Sequence, residues 1–293
     1  MPSEASAADL SGHYPIREFA RITGVNPVTL RAWERRYGIV QPQRTAKGHR
    51  FYSDQDIQRV STILSWLEQG YPIRQVRLLL QNDQPTSQAD DDWQQWRQRQ
   101  IEALQQGQLQ QLDALWSDGL ANYPMAVYFE HCLLPVLSFL QRTPLLYQLY
   151  SQQLVQKLTA LVQQQRRHNP GPGLLMVSDQ SQPPLALYAM AYALGAASFR
   201  VELFSHAGLK AEHLSQLGQL LDNHQLWLQL NQPDAISHWP AAWLSTAPAR
   251  RIFHNLAQRP GYLLPDGFSR QLTFFIQHQH DAAQTAAHQE LHQ

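Results

Sequence analysis

The chain has 293 residues, of which 43% are hydrophobic, and its 23 Lys and Arg residues balance its 23 Asp and Glu residues. This length indicates two or three domains, and the hydrophobic fraction is sufficient for packed cores, which excludes a wholly disordered chain. A single cysteine, Cys132, permits no internal disulfide. With no apolar run near the roughly 20 residues of a membrane span and no signal-peptide pattern, we expect a soluble cytoplasmic protein.

The neutral total conceals two oppositely charged parts. Residues 14–82 contain 11 Lys and Arg against 5 Asp and Glu, a net charge of +6, and the rest of the chain contains 12 against 18, a net charge of −6. A basic segment of this size steers a polyanion towards one end of the molecule. Nucleic acid is therefore the first partner to consider for the N-terminal part.

Two segments rich in breaker residues, 82–92 and 169–173, divide the chain into three blocks. We predict a disordered N-terminus at 1–13, a first domain at 14–82, a helical bundle at 93–168, an α/β domain at 172–278 and a flexible tail at 279–293. In the bundle, breaks near Gly107, Tyr123-Pro124 and Thr143-Pro144 predict four helices.

The third block alternates apolar strand patterns with helical ones. Strands are predicted at 174–178, 199–205, 226–230 and 249–256, and helices are predicted between them, including 210–224 and a segment around Trp239 to Leu244. This alternation predicts a doubly wound parallel sheet of the flavodoxin-like type.

The first block has the order of parts of a winged helix-turn-helix. Helix one is predicted over Pro15 to Ile22, and helix two begins with Asn26 as N-cap and Pro27 as its first residue, a specific start signal. Ser53 and Asp56 then predict a capping box for a third helix that Gly70 ends, and a short fourth helix follows Pro72.

Helix two has an aromatic side and a basic side. At 100° per residue, Leu30, Trp33 and Tyr37 fall on one stripe, which we expect to pack inward. The opposite side is predicted to face a DNA major groove, where Arg pairs with guanine, and it carries Val28, Arg31, Ala32 and Arg35. The alternative for the arginines is a solvated face with local pairing to Glu34.

A second basic element follows Pro42. Residues 44–52, here called the wing, contain four basic or imidazole side chains (Arg44, Lys47, His49 and Arg50) and Gly48, and end in Phe51 and Tyr52 as a strand-like anchor. Such a wing can follow the DNA backbone or enter the minor groove. Two basic elements around a helix-turn-helix are difficult to explain by solubility alone.

The run from Val25 to Val60, VNPVTLRAWERRYGIVQPQRTAKGHRFYSDQDIQRV, resembles the DNA-binding domain of MerR-family transcription regulators. The resemblance covers about 70 residues and implies a dimer that binds double-stranded promoter DNA. Thr29, Arg31 and Trp33 match positions of the family's recognition helix, and an aromatic residue at position 33 either lies in the core or contacts phosphate. The complete set predicted to bind DNA is Arg17, Thr29, Arg31, Trp33, Arg35, Arg44, Lys47, Gly48, His49, Arg50 and Tyr52.

The bundle and α/β blocks resemble the MerR branch that includes the cobalamin-dependent light sensors CarH and LitR and the regulator MlrA. In the light sensors a His in the loop after the first strand ligates cobalt, whereas this chain has Asp179, Ser181 and Pro184 in that loop. Hydroxyl oxygen is a poor ligand for cobalt. A Glu130-His131 pair resembles the one above the cofactor, but Leu120 replaces its Trp. The resemblance therefore implies a degenerate B12-binding-like domain of the MlrA-like kind.

From these patterns we predict a transcription regulator that is not an enzyme, since no nucleophile elbow, phosphate loop or metalloprotease motif is present. We predict no cofactor, no metal and no membrane association. The effector part is expected to act through protein–protein contacts, with a homodimer and RNA polymerase or another regulatory protein as partners. The alternative is a ligand-sensing regulator that binds a corrinoid or other small molecule between the bundle and the sheet.

Overall fold

The computed structural model describes residues 13–45, 47–82, 89–210, 213, 216, 224–231, 252–255 and 262–278. The chain divides into two compact units, residues 1–146 and 147–293. The winged segment and the first three helical stretches of the expected bundle therefore belong to one unit. In the described part of the chain, every helix is too short or too polar to cross a bilayer.

The winged segment consists of four helices and a small sheet. Its helices are α1 (Ile16–Thr23), α2 (Pro27–Ala32, continued by a π-helical turn at Trp33–Tyr37), α3 (Asp54–Glu68) and α4 (Ile73–Asn82). Its strands are β1 (Tyr14–Pro15), β2 (Gln43–Arg44) and β3 (Arg50–Tyr52), antiparallel in the order β1-β3-β2. Residues 27–37 are called the reading helix below.

The predicted starts of the second and third helices are confirmed. The Asn26 side chain accepts a hydrogen bond from the Val28 amide at 2.8 Å, and Ser53 and Asp56 form both bonds of a capping box. Helix one begins at Ile16 instead of Pro15, because Pro15 is paired with Phe51 in the small sheet. Gly24 ends it in the left-handed region that the turn requires.

Three helical stretches complete the first unit: α5 (Ala89–Gln105), α6 (Leu109–Asn122), and a third formed by α7 (Met125–Tyr128), a π-helical turn (Phe129–Leu133) and α8 (Leu134–Leu140). They end beside the predicted breaks. Their packing is specified by a buried polar network, in which Gln100 donates to Tyr128 and Cys132 and accepts from Trp116 at 3.0 Å. A satisfied network of this kind favours one arrangement of the helices.

Helix α9 (Pro144–His168) precedes a five-stranded sheet in the second unit. The strands are β4 (Gly173–Ser178), β5 (Arg200–Ser205), β6 (His224–Gln229), β7 (Ile252–His254) and β8 (Tyr262–Leu263). All pairs are parallel, in the order β5-β4-β6-β7-β8. That order, 2-1-3-4-5 by chain position, is the flavodoxin-like one, with β4 buried along its whole length as a central parallel strand requires.

Four of these strands coincide with predicted ones, and the two-residue β8 was missed because it is too short to show a pattern. Helix α10 (Leu185–Ala196) connects β4 to β5, and helix α11 covers 268–278. Of the helix predicted over 210–224, only His213 and Gln216 are described within its interior, both helical. The helix predicted around Trp239 to Leu244 and the tail at 279–293 lie outside the described residues.

Candidate nucleic-acid interface

The reading helix exposes a basic side and buries an aromatic one. Arg31 and Arg35 are exposed, and Val28 between the N-cap and Arg31 is 52% exposed. Leu30 and Trp33 are fully buried, as the helical stripe predicts. Ala32 is also buried, although it was expected on the outer side. Neither Arg31 nor Arg35 forms an ion pair with any residue that the structure describes.

The wing is held by a tight hairpin between β2 and β3. The Thr45 amide donates to the His49 carbonyl at 2.9 Å, and the Gly48 amide donates to the Thr45 carbonyl at 2.8 Å. Gly48 has a φ of +80°, which an L side chain adopts only with strain. Lys47 and His49 are exposed beside it, so the hairpin presents their side chains to solvent.

Glu34 ties the wing to the reading helix. One carboxylate oxygen accepts from Arg44 at 2.8 Å and the other accepts from Arg50 at 2.6 Å. Burial alone raises the pKa of the Glu34 carboxyl, but the hydrogen bonds from Arg50 and Arg44 outweigh burial and leave that pKa below its ordinary value. Glu34 therefore pairs with the wing, and not with the arginines of its own helix as in the alternative considered from the sequence.

This bridge places the two basic elements next to each other. Because Arg50 is only 29% exposed and donates through Nε, its main role in the structure is to position the wing. Arg44 keeps 50% of its side chain exposed while it holds Glu34. Exposed cations outside this bridge include Arg17 on α1, Arg31 and Arg35 on the reading helix, and Lys47 on the wing.

Three residues predicted to contact DNA are buried instead. Tyr52 is 1% exposed and stacks on Phe19, with ring centroids 4.0 Å apart, so it anchors β3 on the core. Burial raises the pKa of Tyr52 to about 12. Thr29 and Trp33 are fully buried because the bundle covers the side of the reading helix on which they lie.

Helix α6 provides that cover. The Thr29 hydroxyl donates to the Leu120 carbonyl at 3.4 Å, and the Trp33 indole N–H donates to the Asn122 carbonyl at 2.8 Å. Arg36 forms an ion pair with Asp118 in the same region. Of the two roles left open for Trp33, the structure shows the core role. Sequence reasoning missed these partners because they lie more than eighty residues away along the chain.

The residues that resemble a cofactor-binding pair have structural contacts of their own. His131 stacks on Trp93, with ring centroids 5.6 Å apart, and its carbonyl accepts from Arg97 at 3.0 Å. Glu130 is exposed, and Leu120, at the position of the sensors' Trp, is 5% exposed. Both members of the pair lie in the π-helical turn between α7 and α8.

The loop after β4 does not suit a transition metal. Its carboxylate, Asp179, accepts a hydrogen bond from the Asn231 amide at 2.8 Å. Ser181 and Pro184 are exposed, and the hydroxyl of Ser181 is a weak donor for such a metal. Among the described residues, His, Cys, Asp and Glu side chains do not converge in threes anywhere. The donor set therefore does not fit a cobalt-bound corrin.

Comparison with known proteins agrees with this arrangement of parts. The sequence model of the MerR HTH family regulatory protein matches residues 14–83. The chain is 30% identical to the HTH-type transcriptional regulator MlrA of Escherichia coli K12 over 197 residues, which cover 66% of this chain and 80% of that protein.

Two further relatives extend the match. The chain is 29% identical to MlrA of Salmonella typhimurium SL1344 over 236 residues, covering 78% of this chain and 94% of that protein. It is 27% identical to the HTH-type transcriptional repressor CarH of Myxococcus xanthus over 141 residues, covering 42% and 45% respectively. These relatives are transcription regulators and not enzymes. Together with the helix-turn-helix and wing, the match shows that this chain belongs to the MerR family of regulatory proteins.

Proposed function

We propose that this protein is a sequence-specific transcription regulator that binds promoter DNA as a homodimer. The observation that carries the proposal is the Glu34 bridge, which holds the wing against the reading helix while Arg31, Arg35 and Lys47 stay exposed. A protein that needed these cations only for solubility would have no reason to fix two basic elements side by side. The +6 charge of residues 14–82 supports the same partner.

Each element has a distinct task in this proposal. Arg31 and Arg35 enter the major groove, where a guanidinium pairs in bidentate fashion with guanine O6 and N7. Lys47, His49 and Arg44 follow the phosphate backbone beside that groove, and Gly48 allows the hairpin to approach closely. Arg17 adds a phosphate contact from α1. Thr29, Trp33 and Tyr52 support the surface from the core and do not contact DNA.

The effector part acts through protein contacts in this proposal, with RNA polymerase or a second regulatory protein as the partner. The loop at Asp179, Ser181 and Pro184 supports it, since its donors do not suit cobalt and Asp179 is already engaged by Asn231. The homodimer follows from the usual behaviour of the family. Promoter DNA as the target places the protein in the cytoplasm.

A mobility-shift titration on promoter fragments tests the function. We expect sequence-selective binding that Arg31→Ala weakens by about 1–3 kcal/mol, because one bidentate base contact is lost. Arg142→Ala is the matched control, since Arg142 is an exposed arginine outside the winged segment. Binding without sequence preference, or equal loss in both variants, would contradict the proposal.

A further inference from the structure

A cavity of about 380 Å³ lies within the first unit, where the end of the reading helix meets α4, α5 and α6. This volume lies in the range of small-molecule sites, roughly 300–1,000 Å³. Its lining includes residues from all four of these helices: Arg36, Arg74, Asp92, Trp96, Arg99 and Asp118. The cavity is far from the loop after β4 along the chain and uses none of that loop's residues.

The charges of the lining leave one positive charge without a counterpart. Arg36 and Asp118 form an ion pair with each other. Arg74, Arg99 and Asp92 remain, a net charge of +1. Within the part of the chain that the structure describes, neither Arg74 nor Arg99 forms an ion pair or a side-chain hydrogen bond. Two guanidinium groups thus border one concave site with their donors available.

Such an arrangement suits a carboxylate. A guanidinium presents a planar fork of N–H donors, which matches the two oxygens of a carboxylate, and these charge-assisted bonds are stronger than neutral ones. A monoanion balances the net charge of the lining, whereas a dianion would meet the Asp92 carboxylate. The Asp92 carboxylate in the same lining offers an acceptor for a hydroxyl group of a ligand.

Most of the cavity lining is polar, but one part of it is aromatic. Trp96 is half-buried and stands perpendicular to Tyr123, with ring centroids 6.1 Å apart and an interplanar angle of 89°. Tyr37, also half-buried, contributes to the same lining. Half-buried rings offer a flat apolar surface, on which a planar ligand ring packs in stacked or edge-on geometry.

We propose that this cavity binds a small aromatic carboxylic acid. The carboxylate pairs with Arg74 and Arg99, the ring packs on Trp96, and a ring hydroxyl donates to Asp92. The site is distinct from the DNA surface, since neither Arg74 nor Arg99 is among the residues assigned to that surface. The cavity would thus bind a small molecule in a protein whose other proposed partners are macromolecules.

Isothermal titration calorimetry on the full chain without DNA tests the proposal, with 4-hydroxybenzoate as the probe. We expect one site per chain with a Kd of roughly 1 mM or below, appropriate to so small a ligand. The uncharged isostere 4-hydroxybenzamide has the same shape and should bind at least about tenfold more weakly, because it loses the charge-assisted bonds.

The double variant Arg74→Gln/Arg99→Gln should weaken 4-hydroxybenzoate by about tenfold or more. Arg77→Gln is the matched control, because Arg77 is an exposed arginine of the same helix α4 that does not line the cavity. The Arg77→Gln variant should bind 4-hydroxybenzoate with the affinity of the unmodified chain. Trp96→Leu provides a second readout, since it keeps the arginines and should weaken the acid and the amide by similar factors.

Three results would overturn the proposal: absence of binding at about 10 mM 4-hydroxybenzoate, equal affinity for the acid and the amide, or equal loss in Arg77→Gln and the double variant. Near-ultraviolet circular dichroism establishes that each variant is folded. If the double variant fails to fold, two measurements still test the proposal. They are the relative affinities for the acid and the amide, on the unmodified chain and on Trp96→Leu. Because DNA is absent throughout, failure of the promoter titration leaves these outcomes unaffected.

Discussion

Glu34 shows how one carboxylate can organise a binding surface without contacting the ligand. It lies on the reading helix, is 19% exposed, and receives hydrogen bonds from two arginines of the wing. A free carboxylate in a basic surface would repel phosphate. Here Arg44 and Arg50 neutralise the charge of Glu34. The bridge therefore stabilises the wing and leaves the positive charges of Arg31, Arg35 and Lys47 unpaired with Glu34.

Replacement of Glu34 by Gln should lower the free energy of unfolding by about 1 kcal/mol at neutral pH, since a partly exposed ionic bridge is lost. The pKa of Glu34 in the folded protein is below its ordinary value of 4.5. The stabilisation from the Glu34 bridge is therefore complete above about pH 4.5 and is lost as the pH falls through the folded-state pKa. The difference between the unmodified chain and Glu34→Gln should therefore shrink below about pH 4.5. Urea unfolding at several pH values measures it.

Glu68→Gln is the control for that experiment, because Glu68 is an exposed carboxylate of α3 without an ion pair in the described part of the chain. It should leave stability within about 0.5 kcal/mol of the unmodified value. A Glu34→Gln difference that stays constant down to strongly acidic pH would show that the bridge does not depend on the carboxylate charge.

Trp33 donates a hydrogen bond from the reading helix to the end of α6. Trp33→Phe removes the indole donor and leaves the Asn122 carbonyl without its 2.8 Å hydrogen bond. An unsatisfied buried acceptor costs about 1–3 kcal/mol, to which a small cavity adds. Thermal unfolding and DNA titration should show lower stability with little change in DNA affinity per folded molecule. Unchanged stability with strongly weakened binding would instead assign Trp33 to the DNA phosphate.

At the scale of elements, the wing depends on its turn more than on its strands, which comprise two and three residues. Gly48 adopts φ +80° with open space around it, so a side chain there meets strain and no clash. We expect Gly48→Ala to destabilise the wing by about 1–2 kcal/mol and to weaken DNA binding.

Gly48→Asn is the comparison, because Asn enters the left-handed region more readily than Ala. It should retain more of the DNA affinity, as measured by fluorescence anisotropy with a labelled duplex. Equal effects of Ala and Asn would show that the backbone conformation at residue 48 is not what matters.

For the whole molecule, charge separation is the property most relevant to function. The neutral chain carries +6 in residues 14–82 and −6 elsewhere, so DNA binding should depend steeply on salt although the protein has no net charge. Removal of one phosphate-contacting cation, as in Lys47→Ala, should reduce the slope of log Kd against log salt by about one unit. Arg167→Ala, an exposed cation of the second unit, should leave the slope unchanged.

The winged segment and helices α5 to α8 form one compact unit, which has a consequence for the reading helix. One side of it faces solvent with Arg31 and Arg35, and the other is bound to α6 through Thr29, Trp33 and Arg36. The reading helix is therefore supported both by the wing and by the bundle. A change in α6 has a direct structural route to the proposed DNA surface.

The sequence by itself determined the local parts of this protein. Asn26 with Pro27, and Ser53 with Asp56, act within three residues of themselves, so their helix starts could be predicted from spacing alone. The 3.6-residue period likewise predicted which side of the reading helix carries Leu30 and Trp33. Strand β4 could be predicted from its local sequence too, since it is buried along its whole length and a strand buried on both faces is apolar.

Only the tertiary structure decided which polar groups meet. Glu34 joins arginines 10 and 16 residues away, and Trp33 joins Asn122 across 89 residues, distances at which no periodicity relates one residue to another. The motif therefore predicted Thr29 and Tyr52 at the DNA surface, whereas packing buries both side chains. The cavity lined by Arg74 and Arg99 likewise has no signature in the sequence. Contacts between elements depend on how the chain packs, and packing is a property of the folded molecule as a whole.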